Sequence, residues 1–159
     1  MRGLAYYSSP VGELIIESEN EKIITLGFLK DSKLEKTSSS PVIGQCISEL
    51  EEYFSGHRKF FSFEMDLRGT EFQIKVWNEL LNIPYGKTIS YEELAIRVGN
   101  IKSIRAVGLA NGQNPIAIVV PCHRVIGKSG ELVGYGGGLD RKIWLLEHEG
   151  AMQKQLSIF

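Results

Sequence analysis

Five consecutive apolar residues, Ile116-Ala117-Ile118-Val119-Val120, limit the possible folds more than any other stretch, because a segment with no polar side must be covered on both faces. The run is largely β-branched and reads as a strand buried on both sides, which Pro121 ends abruptly before Cys122-His123-Arg124. Cover has to come from the rest of the 159-residue chain, and at 43% apolar residues a core can be packed without staples. The two cysteines, Cys46 and Cys122, have no metal-ligand spacing and allow a single bridge. Reduced thiols are therefore expected, with no disulfide scaffold, no zinc module, no metal site and no cofactor.

The cover comes in two kinds. Residues 4–7, 13–16 and 23–29 read as three short strands of a meander, separated by a turn at Ser9-Pro10-Val11-Gly12 and another at Asn20-Glu21. Asp31 to Ser40 reads as a polar loop, and Ser40-Pro41 caps a helix whose one face carries Ile43, Cys46, Leu50, Tyr53 and Phe54 before it stops near Gly56. On that face Cys46 is a small core residue. Phe60, Phe61 and Phe63 are expected to pack between the two halves of the chain, with a boundary at 69/70.

Beyond the boundary the pattern turns helical. Thr70-Glu71-Phe72-Gln73 opens a helix through Ile74, Trp77, Leu80 and Leu81, ended by Pro84-Tyr85-Gly86. A second capping box, Ser90 to Glu93, opens a helix over Tyr91 to Val98 that stops at Gly99-Asn100, and a third helix runs from Ser103 to Ala110. Two short helices joined by a tight turn predict a helix-turn-helix over about 91–112. After glycine-rich 134–138 a last helix starts at Asp140 and closes at Glu149-Gly150. The fold class is α/β of the α+β kind: a sheet-plus-helix domain over 1–69, then a mainly helical domain over 70–159.

The net charge of −1 does not advertise a nucleic-acid partner, but residues 1–69 hold eight basic and eleven acidic groups whereas 70–159 hold ten and eight. The second half is the more cationic, weakly. Residues 1–10 have neither a basic-apolar leader nor a small-residue cleavage site, and no apolar run approaches the roughly 20 residues that span a bilayer. A soluble, cytoplasmic protein that does not meet membranes is expected.

Cys122 at the end of the apolar run is the candidate nucleophile, since the neighbouring His123 and Arg124 can favour a thiolate. Adjacent residues of an extended segment face opposite ways, so Cys122 and His123 need a turn or a bridging water to cooperate. Glu149 is the candidate carboxylate to fix the imidazole tautomer.

Pro121-Cys122-His123-Arg124-Val125 resembles the active-site signature of the O6-alkylguanine-DNA alkyltransferases. The likeness continues, in order and interval, through Ser90-Tyr91, Arg105-Ala106-Val107-Gly108, Asn114-Pro115, Tyr135, Gly137-Gly138-Leu139, Trp144-Leu145-Leu146 and His148-Glu149-Gly150, and so covers about residues 70–150. The resemblance implies a ribonuclease H-like first domain and direct repair of double-stranded DNA containing O6-alkylguanine by a monomer, with O4-alkylthymine as a second candidate lesion. Its helix-turn-helix enters the minor groove and the damaged base is turned out of the stack.

Transferred to this numbering, Cys122 takes the alkyl group irreversibly, in a single turnover, and His123 with Glu149 deprotonates it through water. Tyr91 donates to the guanine ring as charge develops there, the Cys122 and Val125 carbonyls accept from the exocyclic amine, and Gly136 offers its N–H to O6. Arg105 fills the gap in the base stack, and Ala106 and Gly108 permit close groove approach. Asn114 ties the recognition helix to the active-site turn, Tyr135 lines the pocket, and Lys142 belongs to the DNA- and substrate-binding set. Ile104, Leu109 and Asn111 stand where relatives carry small residues or methionine, and Gly136 replaces a frequent serine.

Three rivals compete with this reading. An alkyltransferase-like lesion sensor lacks the cysteine present at 122, a helix-turn-helix regulator needs no Cys-His-Glu set, and a cysteine hydrolase would turn over esters or amides without DNA.

Overall fold

Burial alternates along the second strand of the meander, which the other two flank. In the computed structural model, which describes residues 2–30, 36–132 and 134–153, β1 (Arg2–Ser9), β2 (Gly12–Glu19) and β3 (Lys22–Phe28) form an antiparallel sheet in the order β1-β2-β3. Leu14, Ile16 and Ser18 of β2 are buried at a spacing of two. The β2–β3 turn falls on Asn20 and Glu21, with φ of 52° and 58°, the pair of positive angles that matches a two-residue hairpin to strand twist.

Helix α1 (Pro41–Phe54) begins where its sequence says it should. The Ser40 side chain accepts from the Ile43 N–H, Pro41 occupies the first turn, and Ile43, Cys46, Leu50 and Tyr53 face the sheet. Residues 31–35 of the expected polar loop lie outside the described residues, and Ser38 within its remainder exchanges two backbone hydrogen bonds of 2.9 Å with Leu4. The three phenylalanines do not act as a set. Phe60 is 77% exposed, whereas Phe61 lies against Tyr53 and Phe63, at ring separations of 5.5 and 5.9 Å, beneath α1.

The chain divides into two compact units, Met1–Thr70 with Pro115–Val119, and Glu71–Asn114 with Val120–Phe159. In the second, α2 (Glu71–Leu80), α3 (Tyr91–Val98) and α4 (Ile104–Gly112) pack on one another. The Trp77 indole donates to the Ala110 carbonyl at 2.9 Å in the interior, which fixes α4 against α2. Ser90 caps α3 by accepting from the Glu93 N–H, Gly99 ends it at φ 126°, and an Asn100-capped 3-10 turn over Ile101–Ser103 leads into α4. The predicted helix-turn-helix is present in these two helices. Helix α5 (Leu139–His148) closes the unit, and a two-residue parallel ladder, β4 (Ile89–Ser90) with β5 (Val125–Ile126), went unforeseen.

The five-residue apolar run is buried throughout, yet it is not a strand. Ile116 makes a single parallel bridge to Leu26, after which the chain turns. Ile118 takes φ 72° and the Val119 N–H closes on the Ala117 carbonyl at 2.8 Å. A β-branched residue in the left-handed region is strained. Five apolar residues therefore describe a covered turn here, and the expectation of a continuous strand is corrected. The architecture as a whole is α+β, a small antiparallel sheet with its helix followed by a helical unit.

Candidate active site

The sharp turning continues into the cysteine segment and decides its geometry. The Cys122 N–H donates to the Val120 carbonyl at 2.8 Å, and residues Cys122–Arg124 form a 3-10 turn. Cys122, His123 and Arg124 are all buried, at 6%, 0% and 7% exposure. The Asn114 amide, just beyond α4, donates to the same Val120 carbonyl at 2.6 Å and also hydrogen-bonds to Cys122. Immediately after the turn, β5 pairs with β4 and so brings Tyr91, the first residue of α3, beside the cysteine segment.

His123 and Glu149 meet at 2.8 Å through Nε2 and Oε2, both side chains wholly enclosed. Arg124 grips the same carboxylate from a second direction, Nε to Oε1 at 2.7 Å and Nη2 to Oε2 at 3.1 Å, and spends Nη1 on the Ile83 carbonyl at 2.7 Å. Burial disfavours the Glu149 charge, but the hydrogen bonds and charges of His123 and Arg124 outweigh it and hold the carboxyl at about 2. Burial likewise pushes His123 below its ordinary value, against the pull of Glu149, so the imidazole is neutral at pH 7. A neutral ring facing an ionised carboxylate must place its proton on Nε2. Nδ1 is then an acceptor, buried and without a hydrogen-bond partner among the described residues.

The thiol is less acidic than its neighbours alone would suggest. Burial raises Cys122, while the Asn114 hydrogen bond and the Lys142 charge work the other way. Lys142, fully buried, donates to the Val125 carbonyl at 2.6 Å and lies 5.9 Å from the Tyr91 ring centre. Burial lowers its ammonium to about 8, opposed by Cys122. Tyr91 is raised by burial and then by Cys122, and so keeps its proton at neutral pH. Its hydroxyl lies 3.4 Å from the Gly134 carbonyl. Tyr135 is raised further for the same reasons, burial first.

The remaining predicted residues fall into an exposed group. Arg105 and Ala106 are exposed on the first turn of α4, and a Cβ at Gly108 would come within 3.9 Å of the Tyr91 ring. Gly136 is exposed in the glycine-rich loop, 3.7 Å from the Gly112 carbonyl by the same measure. Cys122, His123, Glu149, Tyr91, Asn114, Val125 and Lys142 are thus joined by direct contacts or shared partners, whereas Arg105 and Ala106 stand apart on the surface. Two residues act otherwise than the sequence reading has them. Arg124, expected to favour the thiolate, holds Glu149 instead, and Asn111 of α4, read only as a departure from relatives, is buried at 1% and donates to the Cys122 carbonyl at 3.4 Å. Among the described residues no group of three His, Cys, Asp or Glu could hold a metal ion.

Comparison with known proteins agrees over most of the chain. Residues 4–67 match the 6-O-methylguanine DNA methyltransferase ribonuclease-like domain, and residues 71–151 match the DNA-binding domain of the same family. The methylated-DNA–protein-cysteine methyltransferase of Mycobacterium leprae is 49% identical over 89% of this chain and 88% of its own; that of Methanosarcina acetivorans is 45% identical over 92% and 97%. The crystal structure of Mycobacterium tuberculosis O6-methylguanine methyltransferase superposes with a TM-score of 0.86 at 45% identity, covering 95% and 94% of the two chains. The Mycobacterium tuberculosis OGT in complex with DNA gives 0.84 at 47%, covering 92% and 91%. The chain with Cys122 in this buried turn belongs to the 6-O-methylguanine DNA methyltransferase family.

Proposed function

We propose that this protein repairs double-stranded DNA by direct reversal, moving the alkyl group of O6-alkylguanine, methyl above all, onto Cys122 in one irreversible turnover. The observation that carries the reading is the buried His123–Glu149 pair, 2.8 Å apart in the turn that holds Cys122, with a proton-accepting Nδ1 left over. An ionised carboxylate and a neutral imidazole enclosed together cost folding energy, and a proton acceptor next to a nucleophile is what that arrangement provides.

The reaction follows from the groups present. Cys122 rests as a thiol because it is buried. Its proton passes through water to His123 Nδ1, and Glu149, already ionised, stabilises the imidazolium that forms. Lys142 places a positive charge where the thiolate appears. The sulfur then attacks the alkyl carbon in line: the S–C bond forms as the C–O6 bond breaks, and the electron pair moves into the purine. Tyr91, protonated, donates to the guanine ring as this charge develops, and Gly136 offers its N–H to O6. Uptake of one proton by the purine completes the balance, thiol plus O6-methylguanine giving thioether plus guanine. A thioether has no carbon that water can readily attack, so the protein is consumed.

Access to the base assigns the exposed group. Arg105 fills the stack after the guanine has turned out, Ala106 and Gly108 let α4 approach the groove, and the Cys122 and Val125 carbonyls accept from the exocyclic amine, with Tyr135 lining the pocket and Asn114 holding α4 to the turn. In this reading residues 1–69 are the ribonuclease H-like domain, residues 70–159 the transferase domain, and the protein works as a cytoplasmic monomer without a cofactor. Among the described residues no helix is long and apolar enough to cross a membrane.

Mixing the protein with a duplex carrying one O6-methylguanine should add one methyl group to its intact mass, located on the Cys122 peptide. Cys122→Ser should bind the same duplex and gain no mass. A serine variant that still acquires the methyl group would refute the nucleophile.

A further inference from the structure

Asn111 is the one buried amide of α4 that neither caps a helix nor completes a core hydrogen bond network. It sits one turn after Val107 on the inward face of α4, 1% exposed. Its Nδ2 donates to the Cys122 carbonyl at 3.4 Å, and its amide also hydrogen-bonds to the Tyr91 phenol. Oδ1, by contrast, is buried and has no partner among the described residues. The amide cannot gain by turning over, because Oδ1 would then face the Cys122 carbonyl oxygen. Both hydrogen bonds therefore use Nδ2, and the phenol oxygen is the acceptor. A buried acceptor left unpaired is destabilising, so an apolar side chain would serve the fold better at this position.

We propose that Asn111 is a positioning residue for the transfer reaction, which fixes the polarity of Tyr91 so that the phenol's own proton points at the substrate. A phenol whose oxygen already accepts from Asn111 has its O–H directed elsewhere. The acceptor it now meets, the Gly134 carbonyl at 3.4 Å, is too distant to compete with a guanine ring nitrogen at ordinary hydrogen-bond length. Donation from Asn111 also polarises the phenol and strengthens it as a donor while charge builds on the purine. The same Nδ2 reaches the Cys122 carbonyl only at 3.4 Å, as long a contact as that of the phenol with Gly134, so the phenol is the partner through which Asn111 acts on the transfer. This inference rests on the proposed role of Tyr91 toward guanine.

Single-turnover transfer from an O6-methylguanine duplex, at saturating protein, tests it in the full-length chain. Asn111→Leu and Asn111→Met should each slow transfer about tenfold, while duplex affinity, measured in the Cys122→Ser background, changes less than about twofold. Asn111→Asp should be slower still, because a carboxylate accepts the phenol's proton and turns it from the base. The decisive comparison is with Tyr91→Phe: the Tyr91→Phe/Asn111→Leu double variant should be no slower than Tyr91→Phe alone, since Asn111 acts only through the phenol. Wild-type rates in both apolar variants, or losses that multiply in the double variant, would overturn the proposal. A wild-type protein that transfers nothing would instead sink the reading of Cys122 itself, and this inference with it.

Discussion

The protein has two buried cysteines, and everything separating them lies in their surroundings. Cys46 sits on the inner face of α1, fully enclosed, where burial and then the nearby Glu49 charge push its thiol up to about 12. Cys122 is enclosed almost as completely and burial raises it too, but Asn114 and Lys142 oppose the rise, and His123 follows it in a turn. Depth alone makes a thiol inert. What distinguishes the second site is a set of polar atoms whose presence costs stability: an ionised Glu149, a buried ammonium and an imidazole nitrogen without a hydrogen-bond partner among the described residues. The carboxylates behave as oppositely as the thiols. Glu49 lies beside Cys46 and makes its ionisation harder, whereas Glu149 is held by Arg124 and His123 and can support a positive charge near Cys122.

The largest effect that could break this contrast is on alkylation by a small reagent. At pH 7.5, iodoacetamide should modify Cys122 on the order of 100-fold faster than Cys46 in the native protein, as read by peptide mass mapping. Equal rates would mean that the polar surroundings of Cys122 do not matter. Glu149→Gln should come next, slowing methyl transfer roughly 100-fold and destabilising the fold by about 3 kcal/mol, because His123 and Arg124 lose their buried counter-charge.

That variant also carries a pH signature. Glu149 is depressed to about 2 from an ordinary 4.5, so its stabilisation is fully present above 4.5 and is lost as pH falls toward 2. The melting-temperature gap between wild type and Glu149→Gln should therefore narrow on going from pH 6 to pH 3. A constant gap would show that the charge contributes nothing. Lys142→Met should slow alkylation of Cys122 about tenfold at pH 7.5 and leave Cys46 unchanged. The smallest effect belongs to Cys46→Ala, which should cost about 1 kcal/mol by denaturant unfolding and transfer methyl groups at the wild-type rate.

Local signals in the sequence were legible and non-local ones were not. Helix α3 runs over Tyr91–Val98 as read, because Ser90, Glu93 and Gly99 specify its ends by contacts within a few residues. The Asn20-Glu21 turn and the Ser40 cap were equally readable. Ile116–Val120 misled because burial and β-branching are shared by strands and covered turns, and only a partner strand, absent beyond Leu26, separates them. Phe60 misled because a hydrophobic residue need not be inside. Within the site, Cys122, His123 and Glu149 are candidates from their local setting in the sequence, and the family resemblance supplies the substrate and the reaction. The hold of Arg124 on Glu149 spans 25 residues and that of Asn111 on Cys122 spans 11. No local pattern encodes such pairs, which depend on where the Cys122–Arg124 turn meets α4 and the end of α5.

The most direct test of the contrast is a stoichiometry. With excess duplex carrying isotopically labelled O6-methylguanine, incorporation should stop at one methyl group per protein molecule, all of it on Cys122 and none on Cys46, with lesion left unrepaired. More than one methyl group per molecule, label on Cys46, or continued loss of lesion after the protein is saturated would contradict the account.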